Sequence, residues 1–215
     1  APATDSDNDV HAADEYRATR DTWFLDPWFG RGYPELGMRA HEAAGHLDGV
    51  ELTTPPAGDF DYVGVNYYRQ ETVRARSDKP FDWEIKPRRS VELTEMDWEV
   101  VPRGLYESLM WVHRTYQPKE LWVTENGAAY PDPVGPDGVV HDSDRQSYLA
   151  RHLSAAADAI ADGAPLKAFY VWSLMDNFEW SLGYSKRFGV VHVDYPTQKR
   201  TPKQSARWYQ HLISG

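Results

Sequence analysis

Apolar positions recur along this chain in two periods, and the switching between them predicts the order of its elements. In "VPRGLYESLMWVHRTYQP", Leu105, Leu109, Val112 and Tyr116 follow one another at spacings of four, three and four between two prolines. That pattern predicts a helix with one buried face. Leu121-Trp122-Val123 is continuously apolar and predicts a strand over 121–125, stopped by Asn126-Gly127. Ser143-x-x-Gln146 predicts a capping box that opens a helix, and Gly163 closes it. "LKAFYVWSL" predicts another strand and "RFGVVHVDY" an extended segment. "TPKQSARWYQHLI" predicts a last helix with Thr201 as cap, Pro202 in its first turn and Gln204 completing a capping box. Upstream, residues 5–24 read as a helix whose face carries Ala12, Tyr16, Thr19 and Trp23, and 26–34 as a breaker-rich loop. A turn at Pro55-Pro56 then leads into a strand from Tyr62 to Tyr68.

Near-continuous apolar strands alternating with capped helices indicate an α/β fold whose parallel strands are covered on their outer face, as in an α/β barrel or a doubly wound sheet. No repeat, linker or low-complexity segment interrupts residues 1–215, so a single domain is expected. The strand ends carry the chemistry. Asn66-Tyr67-Tyr68, then Glu125-Asn126, then Trp172 followed by Asp176, Asn177, Glu179 and Trp180 stand where the strands run out. Ligands of parallel sheets bind beyond the carboxyl ends of the strands.

Composition narrows the reading. With 215 residues, 41% of them hydrophobic, the chain can bury a sizeable core. A net charge of -10 leaves no basic stripe for phosphates, so neither nucleic acid nor anionic membrane is an expected partner. No apolar stretch approaches the roughly 20 residues of a membrane helix. The absence of cysteine removes disulfides, thiol nucleophiles and thiolate metal sites. A cytoplasmic location is the expectation. Nine tryptophans are many for a chain of this size and hint at a binding surface.

Carboxylates, amides and indoles together suit sugars, whose flat C–H faces lie on aromatic rings and whose vicinal hydroxyls match carboxylates. They also suit cleavage of a glycosidic bond by two carboxyl groups. Glu125, rigid at the end of a strand and followed by a turn, is the natural nucleophile. Here "VTENG" and "VWSLMDNFEWSLGYSKRFGVVHVDY", with "FDYVGVNYY" and "RTPKQSARWYQHLI", closely resemble glycoside hydrolase family 1, the retaining β-glucosidases and their relatives. The resemblance covers nearly the whole chain. It implies a (β/α)8 TIM barrel, Glu125 as the nucleophile that forms the glycosyl-enzyme, and Tyr68 as a hydrogen-bond donor to it, with Asn66 beside it. It further implies Trp172 as the floor of the sugar subsite, Glu179 and Trp180 as the pair that bind the 4- and 6-hydroxyls, and Phe188 as a wall of the same pocket. No cofactor and no metal are implied.

One departure from the family pattern is large. Its acid/base lies in a Thr-x-Asn-Glu-Pro motif ending the fourth strand, and no Asn-Glu-Pro occurs here. Nor are the Gln and His present that would hold the sugar from the first and third strands. The resemblance therefore implies the C-terminal part of the barrel, strands six to eight, carrying the nucleophile and sugar subsite without the acid. The expected activity is hydrolysis of terminal β-D-glucosidic bonds in β-glucosides or cello-oligosaccharides by double displacement. The expected partner is the missing N-terminal half-barrel polypeptide, or a second copy, and the isolated chain is expected to be inactive. A non-catalytic sugar-binding fragment and an assembly unit are the alternatives.

Other motifs fail on geometry. His41 and His46 in "HEAAGH" are five apart, about 140° around a helix, whereas two zinc ligands need a spacing of four. "GYSKR" lacks the second glycine of a nucleophile elbow. "GRG" at 30–32 is too short for a dinucleotide loop. Asp5, Asp7 and Asp9 lack the Gly and Glu of a calcium loop and read as a solvated helix cap.

Overall fold

The computed structural model describes residues 1–53, 55, 57–86 and 92–215. In chain order its elements are α1 (Asp7–Arg20), α2 (Thr22–Trp28), α3 (Glu35–Ala43), β1 (Val63–Asn66), β2 (Val73–Ala75), β3 (Trp83–Ile85), α4 (Pro102–Tyr116), β4 (Leu121–Asn126), α5 (Ser143–Ala161), β5 (Leu166–Val171), β6 (Val191–Asp194), β7 (Lys199–Pro202) and α6 (Gln204–Ser214). They form two compact units, residues 1–60 with 70–89, and residues 61–69 with 90–215.

The smaller unit sets α1 beside the antiparallel pair β2–β3. The expected helix over 5–24 is two helices meeting at Asp21. The fully buried positions of α1 are Asp9, Ala12, Glu15 and Ala18, so two acids occupy a face that apolar periodicity assigned to Tyr16 and Thr19. Both carboxylates are used, which is why they tolerate burial. Asp9 accepts from the backbone N–H of Ala75 at 2.8 Å and the Thr4 hydroxyl at 2.6 Å. Glu15 accepts from the N–H of Phe81 at 2.7 Å and the Trp83 indole at 3.2 Å. Asp9 is thus no solvated cap; that role falls to Ser6, whose hydroxyl accepts from Asp9 N–H. The loop expected at 26–34 begins later, because α2 runs to Trp28, and α3 is an element that periodicity did not reveal. Of the turn at Pro55-Pro56, Pro56 lies outside the described residues.

The larger unit is built on a three-stranded parallel sheet in the order β1-β4-β5, with Val63 opposite Leu121 and Val123 opposite Phe169. Alternate residues of central β4, Leu121 and Val123, are fully buried, as are Leu105 and Leu109 of α4. Val112 and Tyr116 complete the predicted face of α4. The other face of the sheet carries Gly64 and Asn66 of β1 with Trp122 and Thr124 of β4. Across it runs an aromatic row: Tyr62 stacks on Trp122 at 4.2 Å and 13°, and Trp122 meets Tyr170 at 6.1 Å. Tyr62 and Tyr170 remain 45% and 51% exposed, so this face is open. Helix α5 returns the chain from β4 to β5, and Gly163, with φ of 96°, follows its end as expected.

Two caps differ from expectation. Asp142, not Ser143, precedes α5, and Lys203 precedes α6, while Thr201 and Pro202 belong to the β6–β7 hairpin. No helix among the described residues is long and apolar enough to cross a membrane.

His152 of α5 is completely buried, donates from Nδ1 to the Tyr148 carbonyl at 2.8 Å, stacks on the Tyr148 ring and leaves Nε2 without a partner. Burial lowers its pKa to about 4; the charge of Arg151 acts the same way, while the Tyr148 carbonyl and Glu92 oppose it. The folded protein therefore keeps His152 neutral while the unfolded chain takes up a proton near the ordinary value of 6.5. Stability rises with pH across this window and falls as pH drops from 6.5 towards 4. The loss attributable to this residue should reach about 3 kcal/mol. Urea unfolding at about pH 7 and about pH 4.5 should show it, and His152→Phe should remove that share of the pH dependence.

Candidate active site

Strict alternation along β4 would put Glu125 on the same face as Leu121 and Val123, against the helices, where an unpaired carboxylate is costly. The strand does not alternate strictly. Its pairing with β1 slips between Val65 and Asn66, and its pairing with β5 slips between Val123 and Asn126. Such an irregularity re-aims a side chain. Glu125 is consequently only half-buried, and its Oε2 accepts from the Tyr68 hydroxyl at 2.5 Å. Burial, then the hydrogen bond and the charge of Glu125, with that of Glu179, push the Tyr68 hydroxyl far above its ordinary pKa, so it stays a donor.

Buried hydrogen bonds hold Tyr68. Asn126, fully buried, donates from Nδ2 to the Tyr67 carbonyl at 2.8 Å and to the Tyr148 hydroxyl at 3.2 Å, and that hydroxyl donates to the Tyr68 carbonyl at 3.1 Å. Tyr67 N–H reaches the Glu125 carbonyl at 2.9 Å. Asn66 turns away from this set and accepts from the Thr124 hydroxyl at 2.7 Å, while remaining exposed.

Beyond β5, Trp172 N–H donates to the Asn126 carbonyl at 2.9 Å, and the Trp172–Ser173 peptide is cis. The Trp172 carbonyl lies so close to Gly127 that a Cβ there would sit 1.7 Å from its oxygen. Glycine at 127 is therefore what lets the ends of β4 and β5 approach each other. Ser173 N–H donates to the Phe188 carbonyl at 3.3 Å. The Phe188 ring, 1% exposed, stands 6.2 Å from Tyr68 and nearly perpendicular to it. Glu179 accepts from the Asn177 amide at 3.3 Å and precedes a short 3-10 turn at Trp180–Leu182. Trp180 has φ of 44° and is 80% exposed, a strained conformation for a bulky residue of the kind that gathers at binding sites.

Glu125 and Phe188 thus each meet Tyr68, with Trp172 joined through Gly127 and Asn126, while Trp180 stands out in solvent. Sequence reasoning missed Trp98, whose ring lies 5.5 Å from Tyr68 and 6.0 Å from Phe188. A tryptophan in an aperiodic loop gives no signal of what it faces. The amide of Asn177 was noted without its link to Glu179.

Residues 1–215 match the family model for glycosyl hydrolase family 1. The chain belongs to glycosyl hydrolase family 1. It is 41% identical to Beta-glucosidase A of Thermotoga maritima over 99% of its own length and 48% of that relative. It is 44% identical to a bifunctional beta-D-glucosidase/beta-D-fucosidase of Bifidobacterium breve over 89% of this chain and 45% of that one. A solved structure of a family 1 β-glucosidase from Thermotoga maritima superposes with a TM-score of 0.89 at 40% identity, covering 100% of this chain and 48% of that one. The chain therefore spans about half the length of these relatives. Its parallel sheet is part of a family 1 (β/α)8 barrel.

The spacing of His41 and His46 is not helical, since α3 ends at Ala43 and the turn brings their Nδ1 atoms to 3.1 Å. Even so, no group of three or more His, Asp or Glu is placed to hold a metal ion among the described residues.

Gly127→Ala should destabilise the protein by about 3 kcal/mol, because the clash is with backbone that cannot rotate away. Denaturant unfolding of that variant with an unchanged midpoint would contradict the close approach of β4 and β5.

Proposed function

We propose that this family 1 chain supplies the nucleophile and the sugar-binding wall of a retaining β-glucosidase. The observation that carries the reading is the Tyr68–Glu125 hydrogen bond at two neighbouring strand ends. With Oε2 held by Tyr68, Oε1 of Glu125 is left to attack the anomeric carbon. The C1–O bond to Glu125 forms as the bond to the leaving oxygen breaks, and a carboxylic acid contributed by the rest of the barrel protonates that oxygen. The resulting carboxylate then takes a proton from water, which attacks C1 and frees Glu125. Such a pair of carboxyl groups stands about 5–5.5 Å apart.

Trp172 lies under the sugar, Phe188 lines the pocket, and Glu179 accepts from the 4- and 6-hydroxyls beside Trp180, with Asn66 at the rim. A carboxylate at Glu179 disfavours a 6-phosphate. Lys186, the nearby cation, is already engaged, donating to the Glu95 carbonyl at 2.8 Å. The names of the relatives support glucosides, with fucosides tolerated.

Glu125→Gln should cut turnover of an aryl β-glucoside by the complete enzyme to below about one-thousandth while leaving the fold intact. In Glu125→Gly, azide or formate should restore part of the rate, since a small anion fits the vacated space. Undiminished turnover in the Gln variant removes Glu125 from the mechanism.

The open face around Trp122, with outer edges of β1 and β5 that pair with no further strand of this sheet among the described residues, supports a partner: the N-terminal half-barrel polypeptide, or a second copy of this chain. The same face favours the second reading, a sugar-binding or assembly fragment. Residues 1–215 alone should sediment as associated material without cellobiose hydrolysis, and adding the N-terminal half should bring activity. A monomer that hydrolyses cellobiose unaided rules out the shared site, whereas glucose binding that never yields turnover in the assembly favours the second reading.

A further inference from the structure

The sugar-binding loop, residues 177–186, has few bonds of its own to the sheet. Its two ends are joined by backbone hydrogen bonds, Val190 N–H to the Ser173 carbonyl at 2.9 Å and Asp176 N–H to the Val191 carbonyl at 3.1 Å, and by a cluster of six charged side chains behind the site. The Arg145 guanidinium grips Asp132 with both terminal nitrogens, at 2.9 and 2.7 Å, and bonds Asp142 at 2.6 Å. Lys203 lies 2.5 Å from Asp132 and 2.8 Å from Asp176, and Asp176 in turn holds Arg187. The side chains of Arg145, Lys203 and the three aspartates are at most 1% exposed. Three carboxylates balance three cations.

The backbone that these charges hold is the backbone of the site. Arg145 Nε donates to the carbonyl of Ala128, three residues beyond Glu125, at 3.3 Å. The same guanidinium donates to the carbonyl of Arg187, adjacent to Phe188, at 2.7 Å. Asp176, at the near end of the loop, accepts from the N–H groups of Gly189 at 3.1 Å and Val193 at 3.2 Å, beyond its far end. Gly189 is needed there, because a Cβ would lie 2.1 Å from Asp176 N.

We propose that this buried ion cluster is a positioning device for sugar recognition, setting the loop that carries Glu179 and Trp180 and the wall at Phe188 against the strand end that carries Glu125. It rests on the function proposed above. Asp176 and Arg145 are positioning residues that touch no substrate. Burial would raise the Asp176 carboxyl, but the charge and hydrogen bond of Lys203, with Arg187, hold it below its ordinary pKa, so Asp176 stays ionised. Buried ion pairs add little net stability over apolar side chains of the same shape, yet breaking one leaves a stranded charge. Their use here is to define a geometry.

The test is made in the complete enzyme with Asp176→Asn, which keeps shape and removes charge, and with Arg187→Lys, whose native side chain is 24% exposed and better able to tolerate change. Leu109→Ala, in the fully buried core of α4, serves as a destabilised control that removes no member of the cluster. A misplacement of the loop should lower kcat/KM on an aryl β-glucoside by about 10²-fold in Asp176→Asn. The ratio of kcat/KM for glucoside over fucoside should collapse towards one, because Glu179 no longer meets the 4- and 6-hydroxyls in register. The control, at a matched loss of melting temperature, should keep the parent ratio. If Asp176→Asn does not fold, the same shift in ratio, smaller in size, is read from Arg187→Lys. An unchanged ratio in the folded variants, or an equal change in Leu109→Ala, overturns the inference. In the parent, mass spectrometry of a 2-deoxy-2-fluoroglucosyl adduct on Glu125 tests the underlying reading separately. Its absence overturns both; its presence with unchanged ratios overturns the positioning role alone.

Discussion

The arrangement of the larger unit follows from one constraint, that a carboxylate at the end of a buried parallel strand needs a donor and an exit from the helix-facing side. The slips in register around Glu125 provide the exit, and the Tyr68 hydroxyl is the donor. Neither works without support. Tyr68 is aimed by the hydrogen bonds that Asn126 and Tyr148 make to the backbone of residues 67 and 68. The approach of β5 requires Gly127.

Two kinds of polar structure divide the work. Neutral hydrogen bonds among Asn126, Tyr67, Tyr68 and Tyr148 set the strand ends, where regular backbone already does most of the positioning. Charged groups reinforce the loop ends, where only a short run of backbone hydrogen bonds joins residues 173–176 to 188–191. The Arg145 guanidinium suits the second task because its fork reaches two carboxylates and two carbonyls at once, which a lysine cannot do. The aromatic face of the sheet stays half exposed, with Tyr62 at 45% and Tyr170 at 51%.

Much of this was legible in the sequence, for reasons tied to particular residues. Leu105, Leu109, Val112 and Tyr116 betray α4 because a helix that buries one face must repeat at 3.6 residues. Glu125 was visible because an ionisable group ending an apolar run breaks a physical rule. The roles given to Trp172, Glu179 and Phe188 came from the family resemblance, since aromatic and acidic residues in loops are otherwise equally consistent with packing and solvation. What stayed hidden depends on partners distant in the chain. Asp9 and Glu15 read as surface acids until β2, β3 and the loop joining them bring their N–H groups. Asp142 surrenders local capping for Arg145 and Ser205, the latter 63 residues away. The slip at Glu125 is a property of two neighbouring strands, and no local pattern encodes it.

The central claim is that Glu125 attacks the sugar and is displaced in turn by water, so that two inversions restore the original configuration. The most direct measurement is the proton NMR spectrum of the anomer first released from an aryl β-glucoside by the complete enzyme, recorded before mutarotation. The account predicts that the β-anomer of glucose appears first and the α-anomer accumulates only by later equilibration. Initial release of the α-anomer would mean a single displacement by water, and would contradict a nucleophilic Glu125.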